Sequence, residues 1–433
     1  MTNTHKKPSR RRKAEMRMQR IVEAVKLQLQ SATSDNRQPP SPPAQKTATA
    51  ESATVGTETS QLIAYLHEHY DFRYNLVMGY AEYRDKDRGD SWQAIDDREV
   101  NTLTMQARLS GINIWNSDTW RFVRSHMVAD YHPVSSYLDS VRGTWDGQDH
   151  IARLARTVSC NCPQWATWFR RWLLAVVAQW TGRSQQYGNS IAPLLISPQG
   201  YHKSTFCRQL LPPELAWGYI DSLIVAEKKQ VMQAMSQMLL INLDEFNQVA
   251  PSVQSGFLKN VIQLSCVKMK RPYGKHVEEF QRLASFIATT NMTDVLTDPS
   301  GSRRFICVEL TAPIDVSAPP CHRQLYAQIL HLLDSGERYW FDSEETQLIM
   351  DHNRPYQQQS PAASFFADCF DITSDEAAGQ YLSTTAIYDR IRQRAGTDLP
   401  SRGIINFGRM LANINGIVRR RGKRGSEYLV VPR

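Results

Sequence analysis

The spacing of apolar residues changes several times along the chain, and each change marks an expected element. Folded sequence is expected to begin near Ser60, where Gln61, Leu62, Ile63, Leu66 and Tyr70 give a short helical pattern. The aromatic segment Asp71-Phe72-Arg73-Tyr74-Asn75 then reads as a strand leading into Leu76, Val77 and Met78. A helix is predicted from Asp96 to Leu109, and Pro133 after His132 is well placed to start another through Ser136 and Leu138. Trp165 to Trp180 reads as a strongly apolar helix, and Ile191 to Ile196 as a buried strand in which Pro193 points to a sheet edge or a later start. Two more apolar runs stop at polar residues: Gln237 to Leu243 ends in Asp244 and Glu245, and Leu283 to Thr290 ends in Asn291. Phe305 to Val308 is a further strand.

The last sixty residues have their own order. Thr384 or Thr385 caps a helix through Ile387 and Ile391, and Ser401 caps a second through Ile405, Phe407 and Leu411. Ile417-Val418 leads to a basic tip of Arg419, Arg420, Arg421, Lys423 and Arg424 before Glu427-Tyr428-Leu429-Val430-Val431. Helix, turn, helix and a two-stranded wing suit a winged helix whose second helix and basic tip grip nucleic-acid phosphates, although charge at a hairpin tip also serves as edge protection.

Composition narrows the class. The chain has 433 residues, 41% hydrophobic and 22% charged, which excludes a collagen-like repeat, a fully disordered chain and a disulfide miniprotein and suggests two or three domains. A formal charge of +8 suits a polyanion partner and equally an ordinary basic surface. Lys6, Lys7, Arg10, Arg11, Arg12, Lys13, Arg17 and Arg20 crowd the start, and apolar residues recur from Ala14 to Leu29. From Ser31 to Ser60 almost no large apolar residue occurs, so this stretch reads as a flexible linker. The expected division is a basic arm and linker at 1–60, a mainly helical domain at 61–160, a central α/β domain at 161–315, a helical connector at 316–374 and a winged-helix-like domain at 375–433. Seven cysteines without paired spacing suggest a reducing compartment, and no apolar stretch approaches the roughly 20 residues that cross a bilayer. A cytoplasmic location without membrane contact is therefore expected. His126, His132, His150, Cys160 and Cys162 do not complete a metal-ligand pattern and read as packing or surface residues.

Candidate chemistry concentrates after the strand at 191–196. Gln199, Gly200, Tyr201, His202, Lys203, Ser204 and Thr205 lie between that strand and a helix opening at Phe206, where N–H groups receive phosphate. A phosphate loop needs a lysine for the terminal phosphates and a hydroxyl for Mg2+, and Lys203 and Ser204 occupy those places. Ser197 and His202 stand where the consensus has its two outer glycines. Taken alone, Lys203-Ser204-Thr205 is a common surface tripeptide, so its strand-to-helix context carries the reading. Asp244 is placed to hold Mg2+ through water and Glu245 to polarise an attacking water, with a helix cap as the alternative for the pair. Asn291 is positioned to meet a γ-phosphate or its water, and Arg303 or Arg304 to neutralise phosphoryl charge across a subunit boundary, unless they form a solvated turn. Lys259, Lys268, Lys270, Arg271, Lys275 and Arg282, with Tyr273 as a stacking residue, line either a backbone channel or a solvated face.

These segments together resemble the virulence-associated protein E family, whose ATPase domain is similar to that of superfamily 3 viral and plasmid helicases. The resemblance runs through Trp145-Asp146-Gly147, His150-Ile151, Leu154, Arg171-Trp172-Leu173, Gln199-Gly200, Lys203-Ser204-Thr205, Asp244-Glu245, Arg271-Pro272-Tyr273-Gly274, Thr290-Asn291 and Gly301-Ser302-Arg303-Arg304-Phe305, from about Asp130 to Leu310. Phe72 to Asn75, Glu82-Tyr83 and Asp130-Tyr131-His132-Pro133 also look like an N-terminal part seen in relatives from gut Bacteroides-type bacteria. The resemblance implies an α/β P-loop NTPase core with ATP and Mg2+ at Gly200 to Ser204, Walker B carboxylates at Asp244 and Glu245, a sensor at Asn291 and an arginine finger at Arg303 or Arg304. It further implies a ring-forming helicase or loader, with a hexamer as one form of the ring, acting on single-stranded or forked DNA in a mobile element or prophage. Members of the family are often joined to or encoded near primase modules, so the resemblance also implies a primase as a partner; no primase carboxylate cluster is evident in the chain. A DNA-binding replication scaffold with weak or lost turnover, and an RNA-directed ATPase, are the alternatives.

Overall fold

The computed structural model describes residues 50–433 apart from 90, 186–187, 271–275, 298–301, 359–360, 396–402, 413, 415 and 423–424. The basic cluster and the apolar recurrence at 14–29 therefore lie outside the described residues. Helix α1 (Ala50–His69) begins inside the stretch read from sequence as a linker. It is followed by β1 (Tyr70–Asn75), β2 (Tyr80–Asp85), β3 (Gln93–Ala94), α2 (Asp97–Leu109), α3 (Asn116–Val123) and β4 (Asp130–Tyr131). The four strands form one sheet in the order β3-β2-β1-β4. The N-terminal unit thus has helices on a small sheet, whereas the sequence pattern revealed a single strand. Leu62, Leu66, Tyr70, Val100, Leu103, Phe122 and Val123 fill the layer between them.

The other sheet face explains the Phe72–Asn75 and Glu82 motif. Arg73 pairs with Glu82 at 2.5 Å, and Asn75 Nδ2 donates to the same carboxylate at 2.8 Å. Asn75 Oδ1 accepts from the backbone N–H groups of Val77 and Met78, which pins the β1–β2 turn. The Arg73 guanidinium is held between Trp92 and Tyr131, 4.1 and 3.7 Å from their ring centres.

The expected helix starts are present. Asp96 accepts from Glu99 N at the head of α2, and His132 Nδ1 accepts from Ser135 N at the head of α4 (Pro133–Val141). Helix α4, α5 (His150–Ala155) and α6 (Trp165–Trp180) cover one face of the central sheet. Val134, Leu138, Ile151 and Leu154 share a core with Trp168, Phe169 and Trp172, so residues 133–155 pack with the central unit rather than with the small sheet.

That central sheet contains β5 (Ala192–Ile196), β6 (Tyr219–Ile220), β7 (Leu240–Leu243), β10 (Ser285–Thr290) and β11 (Phe305–Glu309), all parallel, in the order β11-β5-β10-β7-β6. Helix α7 (Lys203–Gln209) follows β5, α8 (Lys228–Gln237) precedes β7, and the hairpin β8 (Cys266–Met269) and β9 (Glu278–Gln281) lies between β7 and β10. Strands buried on both faces read as continuous apolar runs, which is why β5, β7 and β10 were visible in sequence. Pro193 sits inside β5, and β5 is an interior strand, contrary to the expected edge or later start. Pairing to β10 begins only at Leu194, so no bond on that side is required of the residue that lacks an N–H. Arg282 is also displaced from its expected role. It is fully buried and donates to the carbonyls of Ala284, Ile262, Leu264 and Asn189, so it braces the core and lines no channel.

After the sheet, α9 (His322–Asp334) and α10 (Ser343–His352) pack on the central core through Leu325, Tyr326, Ile329 and Ile349. A separate cluster of Phe366, Phe370, Ile387, Ile391, Phe407, Leu411, Tyr428 and Val430 holds together α11 (Pro361–Cys369), β12 (Phe370–Ile372), β13 (Gln380–Ser383), α12 (Thr384–Ala395), α13 (Ile404–Ala412), β14 (Arg419–Gly422) and β15 (Gly425–Pro432). The C-terminal unit therefore starts before Asp375. Strand β15 pairs antiparallel with β12, β13 and β14. Ser383 Oγ accepts from Ala386 N, which makes Ser383 the cap expected at Thr384 or Thr385, while Ser401 lies outside the described residues. Among the described residues no helix is long and apolar enough to cross a membrane.

Candidate nucleotide site

Strand β5 ends at the carboxyl edge of the parallel sheet, where open α/β folds bind ligands. The chain then turns through 197–202 and enters α7. Gly200 has φ 82° and His202 φ 60°, the latter in the left-handed region that costs a side-chain-bearing residue about 1 kcal/mol or more. His202 thus adopts the backbone geometry that a glycine would supply at its place in a phosphate loop. Its residue type departs from the consensus, while its φ is one that glycine adopts freely.

The loop closes on Lys203. This side chain is only 9% exposed, and its Nζ donates to Ser197 O at 2.8 Å, Ser197 Oγ at 2.8 Å, Pro198 O at 3.1 Å and Asn291 Oδ1 at 3.0 Å. Burial pulls the ammonium pKa below its ordinary value, and the nearby Asp244 charge opposes that shift. Ser197, at the other outer-glycine place, is therefore an acceptor for the lysine, and its own hydroxyl donates to Pro198 O at 3.0 Å.

Parallel neighbours bring the remaining groups together. Asp244 lies just beyond β7, and its Oδ1 accepts from Thr289 Oγ1 on β10. Glu245 has φ 49°, and its carboxylate accepts from Gln248 Nε2. Thr290 Oγ1 donates to Asn247 Oδ1 at 3.1 Å and accepts from Met292 N at 3.1 Å, which ties the carboxylate turn to the Asn291 turn. A cavity of about 310 Å³ is lined by Gln199, Gly200, Tyr201, His202, Lys203, Ser204, Thr205, Asp244, Glu245, Thr289, Thr290 and Asn291. Every loop and carboxylate residue expected from sequence reaches it. Thr289 is not among the residues singled out from sequence, and Thr290 enters only in the Thr290-Asn291 motif, although two hydroxyls closing an apolar run are a usable signal.

The hydroxyl and carboxylate oxygens of Ser204 and Asp244 are hard donors that suit Mg2+. Among the described residues no group of three or more His, Cys, Asp or Glu could hold a metal ion.

Other expected residues are more scattered. Arg303 and Arg304 form a short turn before β11 and do not line the cavity; Arg303 is exposed, whereas Arg304 is 4% exposed. Burial removes Arg304 from the pair expected to reach a neighbouring subunit. Lys268 pairs with Glu279 across the β8–β9 hairpin at 3.1 Å, and Lys270 is exposed. Arg271, Tyr273 and Lys275 lie outside the described residues. On β14, Arg419 donates to Ser426 Oγ, Arg420 pairs with Glu427 at 2.8 Å over the Tyr381 ring, and Arg421 is exposed; Lys423 and Arg424 lie outside the described residues.

No curated protein matches the chain. Among solved structures, the apo C-terminal region of NrS-1 (305–718) is 14% identical with a TM-score of 0.45, covering 87% of this chain and 99% of that one. The inhibitor-bound JCV helicase is 12% identical with a TM-score of 0.25, covering 72% and 78% respectively. Residues 359–430 match a domain of unknown function from B. Theta. Residues 138–358, just over half of the chain and containing the whole cavity, match the virulence-associated protein E-like domain, and the chain belongs to that family.

Proposed function

We propose that the protein is a Mg2+-dependent ATPase acting on DNA, a helicase or helicase loader in the replication of a mobile element or prophage. The carrying observation is the convergence of Lys203, Ser204, Asp244, Glu245 and Asn291 on one cavity at the carboxyl edge of the sheet. In this reading the backbone of 199–204 and the α7 N–H groups cradle the phosphates, and Lys203 swings from Ser197 and Pro198 to the terminal phosphate oxygens. Ser204 and Asp244 would hold Mg2+, which when bound offsets charge on the β- and γ-phosphates. Glu245 takes a proton from the attacking water, and Asn291, released by Lys203, orients that water or the γ-phosphate. Thr289 keeps Asp244 aimed at the cavity. Arg303, exposed outside the cavity, is the arginine that a ring neighbour would receive.

The C-terminal order of helix, strands, two helices and a β14–β15 hairpin supports a winged-helix reading, with α13 and the hairpin as the DNA-contacting parts. Lys268 and Lys270 on the central hairpin are the second proposed contact. A scaffold with weak turnover is the second reading, and the Gln248 bond that occupies Glu245 favours it. Titration with a fluorescent ATP analogue tests the nucleotide step: Mg2+-dependent binding that Lys203→Ala weakens at least about tenfold supports it, since a charge-assisted phosphate contact is worth about 1.5–3 kcal/mol. Equal binding by Lys203→Ala would place the nucleotide elsewhere.

A further inference from the structure

Helices α2 and α3 of the N-terminal unit leave large side chains in water. On α2, Leu109 is 84% exposed, and Trp115, which precedes α3, is 66% exposed. Neither closes the unit's core, because α2 already buries Val100, Leu103, Thr104 and Ala107, and α3 buries Thr119, Phe122 and Val123. The hydroxyls of Thr104 and Thr119 share a hydrogen bond of 2.8 Å that holds the two helices side by side. Two tryptophans here each carry an arginine on the ring: the Arg108 guanidinium lies 5.0 Å from the Trp115 ring centre, and that of Arg124 lies 3.8 Å from the Trp120 ring centre. The Trp115 N–H donates to Asp118 Oδ2 at 2.9 Å, so the exposed indole stands on a pinned backbone. Trp120 is half-buried and forms the floor on which the Arg124 guanidinium lies.

Charge decides what such a surface takes. Arg108 and Arg124 are exposed, and among the described residues neither has a carboxylate partner. From Ser110 to Ala129 the only acidic residue is Asp118, and its carboxylate is already engaged by Trp115 N and by Arg121 at 3.0 Å. The acids in the first turn of α2, Asp97 and Glu99, lie about 14–16 Å along the helix from Arg108. An apolar protein partner would strip water from two guanidinium groups without giving them a counter-charge, which is costly. A polyanion supplies that counter-charge. Duplex DNA hides the faces of its bases in the stack, whereas an open indole and a flat guanidinium are platforms on which unstacked bases lie. The surface therefore matches a single strand, which offers phosphates and free base faces together.

We propose that the α2–α3 face of the N-terminal unit binds single-stranded DNA, with bases stacked on Trp115 and on the Arg124 plane and with Arg108 and Arg121 on the phosphates. The proposal rests on the reading of the protein as acting on DNA and adds to it a contact in the unit that precedes the nucleotide-binding core. Two measurements on the full chain without nucleotide test it. In the first, a short oligothymidylate carrying 5-iodouracil is bound and irradiated, and the crosslinked peptides are identified by mass spectrometry; the expected adduct is on Trp115. In the second, anisotropy of a fluorescein-labelled oligothymidylate is followed over a salt series. Trp115→Ala should weaken binding at least about fivefold, Trp115→Phe less, and the Arg108→Ala, Arg124→Ala double variant should flatten the dependence of log affinity on log salt by about 0.7 for each phosphate lost. These side chains are exposed, and an unchanged thermal midpoint in each variant separates lost binding from lost folding. An oligonucleotide that binds with no adduct on Trp115 and with equal affinity in the variants overturns this site and leaves the DNA reading standing. No binding by the unaltered chain overturns both. Poly-glutamate that displaces the oligonucleotide as well as unlabelled oligothymidylate does at equal charge assigns the face to an acidic polypeptide and overturns the strand as its ligand.

Discussion

Lys203 is the residue on which the site turns. Its ammonium has four acceptors within 3.1 Å, two of them on Ser197, so phosphate must compete with the loop's own oxygens. Ser197→Gly removes one acceptor, and with a net hydrogen bond worth about 1 kcal/mol the ATP-analogue Kd should fall about threefold to tenfold; an unchanged or higher Kd means that Ser197 does not restrain the lysine. His202 supplies a second expectation. Glycine accepts φ 60° freely whereas a β-branched residue does not, so His202→Val should lower unfolding stability by about 1 kcal/mol or more in a urea titration and His202→Gly should not. The residue types of this loop were legible in sequence, but its φ values were not, because nothing in Tyr201-His202-Lys203 announces that a histidine will stand in for glycine. The Thr289–Asp244 bond was invisible for another reason: it requires β7 and β10 to be neighbours, which separation along the chain conceals. Arg303 and Arg304 are chemically identical in sequence, and only the turn geometry sends one outward and the other inward.

At the scale of elements, legibility followed burial. Strands β5, β7 and β10 are buried along their whole length, so each left an uninterrupted apolar run. The two-residue strands β3 and β4 are too short to show a period, and the N-terminal sheet went mostly unseen. The expected domain at 61–160 takes in α4 and α5, whereas both pack on the central core, because an amphipathic stripe says that a face is buried, not what buries it. Helix α6 shows how such elements are fastened. Its Arg170 donates to Glu337 through Nε at 2.7 Å and Nη2 at 2.8 Å, joining α6 to the segment after α9. The bond from Arg170 lowers the Glu337 pKa. A depressed carboxylate contributes stability above its unfolded pKa and loses it as pH falls through that value toward the folded pKa. Glu337→Gln should therefore cost about 1 kcal/mol in urea unfolding at pH 7, and the difference from the unaltered protein should shrink as pH falls from about 5 to about 3. A difference that is constant with pH would mean that shape rather than charge holds this joint.

At the scale of the whole molecule, the proposed function requires the nucleotide cavity to work together with DNA-contacting surfaces and with neighbouring copies. On the β14–β15 hairpin, Arg420 and Arg421 are both exposed but Arg420 is already paired with Glu427, so Arg421→Ala should weaken DNA binding more than Arg420→Ala. Each phosphate that the protein no longer neutralises should flatten the dependence of log affinity on log salt by about 0.7–0.9, and an unchanged slope in the triple Arg419, Arg420 and Arg421 alanine variant removes the hairpin from the interface. If Arg303 acts on a neighbour's site, mixing Arg303→Ala with Lys203→Ala protein should restore part of the turnover that each lacks alone; independent copies show no rescue. The central claim is that the cavity hydrolyses ATP in response to DNA. Steady-state hydrolysis by the full chain with Mg2+, measured with and without single-stranded DNA beside Lys203→Ala and Glu245→Gln, tests it most directly. The expected result is turnover that DNA raises and that both substitutions abolish, with nucleotide still bound by Glu245→Gln; folded protein that binds DNA but shows no turnover, or turnover indifferent to both substitutions, would overturn the ATPase reading.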